Sequence, residues 1–238
     1  MNIPSLVETH CHIMPGIDDG APDVETSLKM IEKLKSQGVK TIVLTPHYYS
    51  DSYSHHDLLA RRDRAFDELT SALPPDSPRL IPAAEVYISK YLFNYDSLER
   101  LVIGSSGYVL IEHPFSCDFS QKYYDRLMNL NFDYGVKPIL AHIERYEAFM
   151  DNEALLDEYI AAGCLSQVNV SSFVNAHRGT RKKLFKYLES GRVHIIGTDC
   201  HNLSSRPPEL SQGIKEIIKK SGEEAAAVLE QNANILVR

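Results

Sequence analysis

Seven short apolar runs recur along the chain: Ser5–Thr9, Lys40–Thr45, Arg79–Val86, Tyr108–Glu112, Lys137–His142, Leu165–Val170 and Val193–Thr198. Most are near-continuous in Val, Ile and Leu, the pattern of parallel strands buried on both faces. Between them the spacing turns helical. Asp23–Gln37 sets Val24, Leu28, Ile31 and Leu34 on one face and stops at Gly38. Asp57–Leu73 carries Leu58, Ala65, Phe66 and Leu69 and stops before Pro74-Pro75. Ser120–Asn131, Asn152–Ala162 and Thr180–Ser190 repeat the pattern, and Glu209–Lys220 and Glu223–Asn232 add two helices at the end. Strand alternating with helix throughout predicts parallel βαβ units. Two α/β folds satisfy that order, an open doubly wound sheet and a closed barrel. A doubly wound nucleotide binder carries G-x-G-x-x-G after its first strand. Here His10-Cys11-His12 stands there, and no P-loop occurs anywhere, so the barrel is favoured.

No repeat, low-complexity tract or linker divides the 238 residues, so a single domain, 1–238, is expected. At 43% hydrophobic and 24% charged, the composition is that of an ordinary soluble globular protein. No apolar run approaches the roughly 18 residues of a membrane span, so no membrane insertion is expected. Met1–Glu8 lacks the basic start and apolar core of a signal peptide. The four cysteines, Cys11, Cys117, Cys164 and Cys200, form no C-x-x-C pair, and a reducing cytoplasm is the simplest setting. A net charge of −7 speaks against a nucleic-acid partner. It does not exclude an anionic substrate, because local metals or arginines outweigh the overall balance.

The chemistry gathers where strands end, which in a βα barrel is the functional rim. His10 and His12 are two apart on a strand and so point the same way. Asp19 lies in the following loop, His47 after strand two and Glu85 within strand three. Glu112 ends strand four, His142 ends strand five, and Asp199 and His201 follow strand seven. Any one of these alone reads as an ion pair, a cap or a satisfied polar residue. Nine on one rim do not, since unpaired buried carboxylates are expensive. The set holds only nitrogen and oxygen donors, which suits Mn²⁺, Zn²⁺, Fe²⁺ or Mg²⁺ rather than a thiolate site. Nine ligands exceed the needs of one ion, so two or three are expected. Such a site serves hydrolysis, with one ion ionising a water and the others holding phosphate oxygens.

The segments "THCHIMPGIDDG", "TPHYY", "AAEVY", "AHIERY" and "TDCHNLSSRPP" resemble the polymerase and histidinol phosphatase (PHP) superfamily. Within it they are similar to the bacterial capsule-type tyrosine-protein phosphatases of the CpsB/CapC/YwqE kind, over nearly the whole chain. The resemblance implies a distorted (β/α)7 TIM-like barrel, a trinuclear centre usually of Mn²⁺, and hydrolysis of phosphotyrosine by metal-activated hydroxide. It implies Glu85 and Glu112 as bridging ligands among the nine, and Arg145 and Arg206 as phosphate-contacting, catalytic arginines. It further implies a phosphoprotein substrate, an autophosphorylated bacterial tyrosine kinase controlling capsule or exopolysaccharide synthesis. A small-molecule phosphatase of the histidinol-phosphate type, another PHP phosphoesterase and a non-catalytic metal-stabilised domain remain as alternatives. The arginines could also merely pair with Glu144 or Glu209.

Other residues are weighed and set aside. Cys200 to Arg206 spells C-x5-R, but the segment between has no glycine to cradle a phosphate. Cys200, like Cys11, reads as a small buried residue. His113, where relatives carry an aromatic residue, is expected to face away from Glu112. Tyr48, Tyr49, Tyr53, His55 and His56 read as a mobile polar loop or as a rim that meets a protein substrate. Asn169 or Arg178 could line the pocket.

Overall fold

The computed structural model describes residues 6–95 and 97–238. Ser5, where the first predicted strand begins, lies outside them. The strands are β1 (Leu6–Cys11), β2 (Val39–Leu44), β3 (His47–Tyr48), β4 (Arg79–Pro82), β5 (Glu85–Tyr87), β6 (Tyr108–Glu112), β7 (Lys137–Leu140), β8 (Leu165–Asn169) and β9 (Ile195–Gly197). The helices are α1 (Val24–Ser36), α2 (His55–Ser71), α3 (Gln121–Tyr134), α4 (Glu147–Asp151), α5 (Glu153–Ala161), α6 (Ser172–Asn175), α7 (Arg178–Glu189) and α8 (Ser211–Leu236), with short 3-10 turns between. Caps explain several boundaries. Asp23, Ser54 and Asn152 each accept a backbone N–H of the first turn of α1, α2 and α5. Gly135 ends α3 in the left-handed conformation. The two helices expected after residue 209 are one element broken at Gly222, whose φ of 87° is not helical.

Every strand pairing is parallel, in the orders β1-β2-β4 and β3-β5-β6-β7-β8-β9. The strand predicted over 79–86 is interrupted at Ala83-Ala84, and the one predicted over 40–45 ends at Leu44 and is continued, past Thr45-Pro46, by β3, which the apolar pattern does not predict. The two pieces still run side by side: Ala83 N donates to Leu44 O at 2.9 Å and Glu85 N to Pro46 O at 3.0 Å. At the other edge the sheet curls back on its start. Cys11 bridges Cys200, Asp199 N donates to His10 O at 2.7 Å, and His12 N donates to Cys200 O at 2.9 Å.

The curl creates two apolar compartments. Inside it, Val7, Val43, Ile81, Leu110, Ile139 and Ile195 come from six different strands and meet one another. Ala233, Leu236 and Val237, at the C-terminal end of α8, join them and cover the end away from the active rim. Outside it, the alternate strand residues Ile42, Leu44 and Ile111 pack on helix residues such as Met30, Leu34 and Leu127. Among the described residues no helix is long and apolar enough to cross a membrane.

One close approach is tested simply. Gly213, in the first turn of α8, lies so near the chain after β8 that a Cβ would come within 2.7 Å of Val170 O. Alanine normally stabilises a helix over glycine by about 1 kcal/mol. Here the clash with backbone reverses the sign, and Gly213→Ala is expected to destabilise by about 1–3 kcal/mol. A Cβ on Gly179, in α7, meets nothing within 4 Å, so Gly179→Ala is expected to leave the thermal midpoint unchanged or raised. Thermal unfolding of the two variants side by side checks both signs.

Candidate metal centre

The nine predicted ligands converge at the C-terminal ends of the strands. Glu85 lies at the centre and is buried. Its Oε2 is 3.3 Å from the Nε2 of both His10 and His12 and 3.0 Å from His47 Nδ1, while its Oε1 is 3.1 Å from His142 Nε2. Glu112 spans the same two flanking histidines, with Oε1 at 3.6 Å from His142 Nε2 and Oε2 at 3.9 Å from His47 Nδ1. Asp199 Oδ1 sits 3.5 Å from His10 Nε2 and 3.4 Å from His12 Nε2. Asp19, on the exposed side, places Oδ1 3.5 Å from His47 Nε2 and 3.4 Å from His201 Nε2. Three groups have donor atoms all within 4.8 Å of one another: His12–Asp19–His47–His201, His10–His12–Glu85 and His47–Glu85–Glu112.

Strand geometry alone does not aim all of these side chains. The strands expected to run through His142 and Thr198 stop at Leu140 and Gly197. His142 and Asp199 then take left-handed backbone, with φ of 32° and 53°. That conformation costs a non-glycine residue about 1–3 kcal/mol and is tolerated where the surroundings over-determine it. It ends each strand and turns the ligand into the cluster.

The donor chemistry fits divalent cations. Glu85 Oε2, His47 Nδ1 and His201 Nε2 are buried, and among the described residues none meets a partner in hydrogen-bonding geometry despite their closeness; buried polar atoms rarely go unsatisfied without an ion or water. The Nε2 atoms of His10 and His12 face each other at 3.3 Å, while their Nδ1 atoms lie against Gln167 Oε1 and Asp18 Oδ2. With the protons held on Nδ1, two lone pairs point at one place, as ligands of a cation do. Burial, then the charge of Glu85, pushes the Glu112 carboxyl up to about 7. A cation between the two carboxylates removes that repulsion.

Four polar residues supporting the cluster were not singled out as site residues by the sequence pattern, or only loosely. Asp18 accepts from His12 Nδ1 at 2.8 Å, from His47 N at 3.0 Å and from Gly20 N at 2.9 Å. Burial opposes its charge, but the His12 charge and these hydrogen bonds outweigh burial and hold it at about 2. Gln167 Oε1 meets His10 Nδ1 at 3.3 Å and accepts His142 N at 2.6 Å. Glu8 accepts His10 N at 2.9 Å and Thr198 N at 3.0 Å, tying β1 to β9 beneath the ligands. Glu8 had a visible signal, since it interrupts an apolar run just as Glu85 and Glu112 do. Asn169, weighed for the pocket, donates to Asp199 Oδ2 at 2.9 Å.

Beside the cluster is a cavity of about 210 Å³ lined by Arg145, Asn169, Asp199 and Arg206. Both arginines reach the same carboxylate oxygen, Asp199 Oδ2, through Nη2 at 2.7 and 2.6 Å. They do not take the alternatives: Glu144 accepts from Asn169 N and Ser172 Oγ, and Glu209 from Ser211 and Gln212. Arg178 is not among the cavity residues and lies on a separate surface with Lys182 and Lys186.

The remaining candidates resolve as follows. Cys200 is fully buried where its backbone pairs with that of Cys11, its thiol free but out of a substrate's reach. His113 faces away from the cluster, boxed by Phe119, Tyr123 and Tyr146, and burial pulls it down to about 3. The segment after His47 is anchored rather than a mobile polar loop: Tyr48 is buried, Tyr53 donates to His47 O at 2.7 Å, and His55 starts α2.

Fold and cluster together define a parallel α/β protein whose strand ends carry a site suited to several divalent metal ions. The chain belongs to the capsular polysaccharide synthesis CpsB/CapC family, whose model matches residues 6–238. It is 30% identical to the tyrosine-protein phosphatase YwqE of Bacillus subtilis, over 98% of this chain and 92% of that protein. It is 31% identical to the tyrosine-protein phosphatase CpsB of Streptococcus pneumoniae, over 94% of each. A solved structure from the work on YwqE and CpsB, described there as metal-dependent tyrosine phosphatases, superimposes with a TM-score of 0.82 at 25% identity. It covers 98% of this chain and 94% of its own.

Carboxylate–imidazole pairs of the Asp18–His12 kind commonly govern metal affinity. Asp18→Ala is therefore expected to weaken Mn²⁺ binding by about 10- to 100-fold, and Asp18→Asn by less, because its amide oxygen still accepts from His12. Calorimetric Mn²⁺ titration, with circular dichroism confirming the fold, measures it; wild-type affinity in Asp18→Ala would refute the orienting role.

Proposed function

We propose that this chain is a metal-dependent protein-tyrosine phosphatase formed as one domain, a distorted (β/α)7 barrel. Its substrate in this reading is a phosphotyrosine protein, specifically an autophosphorylated bacterial tyrosine kinase controlling capsule or exopolysaccharide synthesis. The observation that carries the reading is the cavity shared by Arg145, Arg206 and Asp199 on the flank of nine clustered ligands. The names of the relatives support the tyrosine specificity and the family supports the capsule context. The barrel is supported by counting β2–β3 and β4–β5 as two interrupted strands, which gives seven. The four cysteines are unpaired, which suits work in a reducing cytoplasm.

His10, His12, Asp19, His47, Glu85, Glu112, His142, Asp199 and His201 would hold two or three ions, Mn²⁺ foremost, with Glu85 and Glu112 each shared between ions. When bound, such ions supply Lewis acidity and an ionised water at neutral pH. The chain's own residues do the positioning. A guanidinium has five N–H donors in a fixed fork, and the ion pair with Asp199 engages only the Nη2 group of Arg145 and of Arg206. The other donors serve a phosphoryl group in the cavity, where charge-assisted bonds strengthen as negative charge gathers. Asn169 completes the set of donors on Asp199 Oδ2 and so fixes the carboxylate between ligands and arginines.

Two experiments test this. Chelation should abolish hydrolysis of a phosphotyrosine peptide, Mn²⁺ should restore it, and Cys200→Ser should retain it; loss in Cys200→Ser with resistance to EDTA would overturn the metal chemistry. Preference for histidinol phosphate over the peptide in the same assay would instead support the small-molecule reading. Arg145→Ala and Arg206→Ala should each bind Mn²⁺ yet lose about 100-fold or more in kcat/KM, the scale of one removed stabilising donor. Lysine should rescue only part, since it lacks the fork. Rates within about twofold of wild type in both alanine variants would make these arginines structural.

A further inference from the structure

We infer that Phe115 determines specificity at this site by receiving the aromatic ring of an aryl phosphate, so that aromatic phosphomonoesters bind in preference to aliphatic ones. The inference rests on the phosphatase reading above and refines it. Phe115 lies just past Glu112, in a turn closed by Cys117 N donating to Pro114 O at 2.8 Å. The turn pins the backbone while the side chain stands 60% exposed, so packing of the core does not account for it. Its place does. The ring centroid is 6.1 Å from that of His142, and the Arg145 guanidinium carbon is 5.9 Å from the Phe115 centroid. Phe115 thus lies beside both a flanking histidine of the cluster and an arginine of the phosphate cavity.

A phosphoryl group held between those two leaves its ester substituent to exit past whatever flanks them. An exposed phenyl ring there meets the first atoms of that substituent. A tyrosine ring fits, because aromatic rings attract with centroids about 4.5–7 Å apart, in offset or edge-on geometry. An alkyl chain keeps apolar contact but lacks the ring–ring interaction. Other aromatic residues near the cluster are already engaged: Tyr146, 5.7 Å from the His142 ring, is fully buried and its hydroxyl accepts from His113 N at 2.9 Å. Tyr49 lies 5.3 Å from the His47 ring and 5.5 Å from Tyr87, and both tyrosines are half-buried. They form a wall on the His47 side, opposite in the ligand set to His142.

The test uses two non-hydrolysable probes, benzylphosphonate and propylphosphonate, titrated by calorimetry into the full-length Mn²⁺-loaded chain. Wild type is expected to favour the benzyl compound. Phe115→Ala should lower the benzyl-to-propyl affinity ratio by about 3- to 10-fold, Phe115→Leu should lower it by less, and Phe115→Trp should preserve it. In parallel, Phe115→Ala should raise KM for a phosphotyrosine peptide while kcat holds, the signature of binding equal in ground and transition states. An unchanged ratio in Phe115→Ala, with both probes bound, would overturn the role of Phe115 and leave the phosphatase reading intact. Failure of wild type to bind either phosphonate would overturn the phosphate site itself, and the inference with it.

Discussion

A single buried carboxylate, Glu85, meets imidazoles from three other parts of the chain: His10 and His12 at the end of β1, His47 on β3 and His142 after β7. A lone carboxylate in such a place is costly. The histidines hold it well below the usual carboxylate range against the opposing effect of burial, His10 foremost. Positive charge must therefore be kept within reach of Glu85, as protons on imidazole or as cations. The whole active end of the strands is arranged around that demand. Asp199 repeats the logic next door, with His10 and His12 on one oxygen and Arg145, Arg206 and Asn169 on the other.

The two ends of the curled sheet divide the labour. One end is apolar and covered by Ala233, Leu236 and Val237 of the C-terminal segment. The other is polar and supported by Asp18, Glu8, Gln167 and Asn169. Among the described residues three non-glycine residues hold strained left-handed backbone, Phe119, His142 and Asp199, and two of them stand at the second end. Burial of the apolar face offsets that strain, the usual division between scaffold and site in this architecture. The Arg145–Asp199 and Arg206–Asp199 pairs join the cluster to the cavity beside it, because the carboxylate that faces His10 and His12 also holds both arginines.

Much of this was legible in the chain as written. Near-continuous Val/Ile/Leu runs gave the strands, 3.6-residue periodicity gave α1, α2, α3, α5 and α7, and the two helices expected over 209–220 and 223–232 fall on either side of the break in α8. The nine ligand candidates could be read because His, Asp and Glu at the ends of apolar runs are conspicuous, and period-2 spacing alone pairs His10 with His12. What the sequence by itself determined was thus the parallel α/β class of fold, the end of the strands where the His, Asp and Glu side chains gather, and the nitrogen–oxygen chemistry of that cluster.

Tertiary structure decided which atoms meet. No local pattern links Asp18 to His12 and His47 at once, or sets Gln167 between His10 and His142, because those contacts join residues up to 157 apart. Nor could spacing choose Asp199 over Glu144 and Glu209 as the partner of the two arginines, since Glu144 adjoins Arg145 and Glu209 closely follows Arg206, whereas Asp199 is 54 residues from Arg145. The breaks at Thr45-Pro46 and Ala83-Ala84, and the left-handed turns at His142 and Asp199, follow from closing a curved sheet over a charged centre. Strand propensity is local, whereas the electrostatic balance of a buried cluster is set by charges from every strand at once, and only the folded chain brings them together.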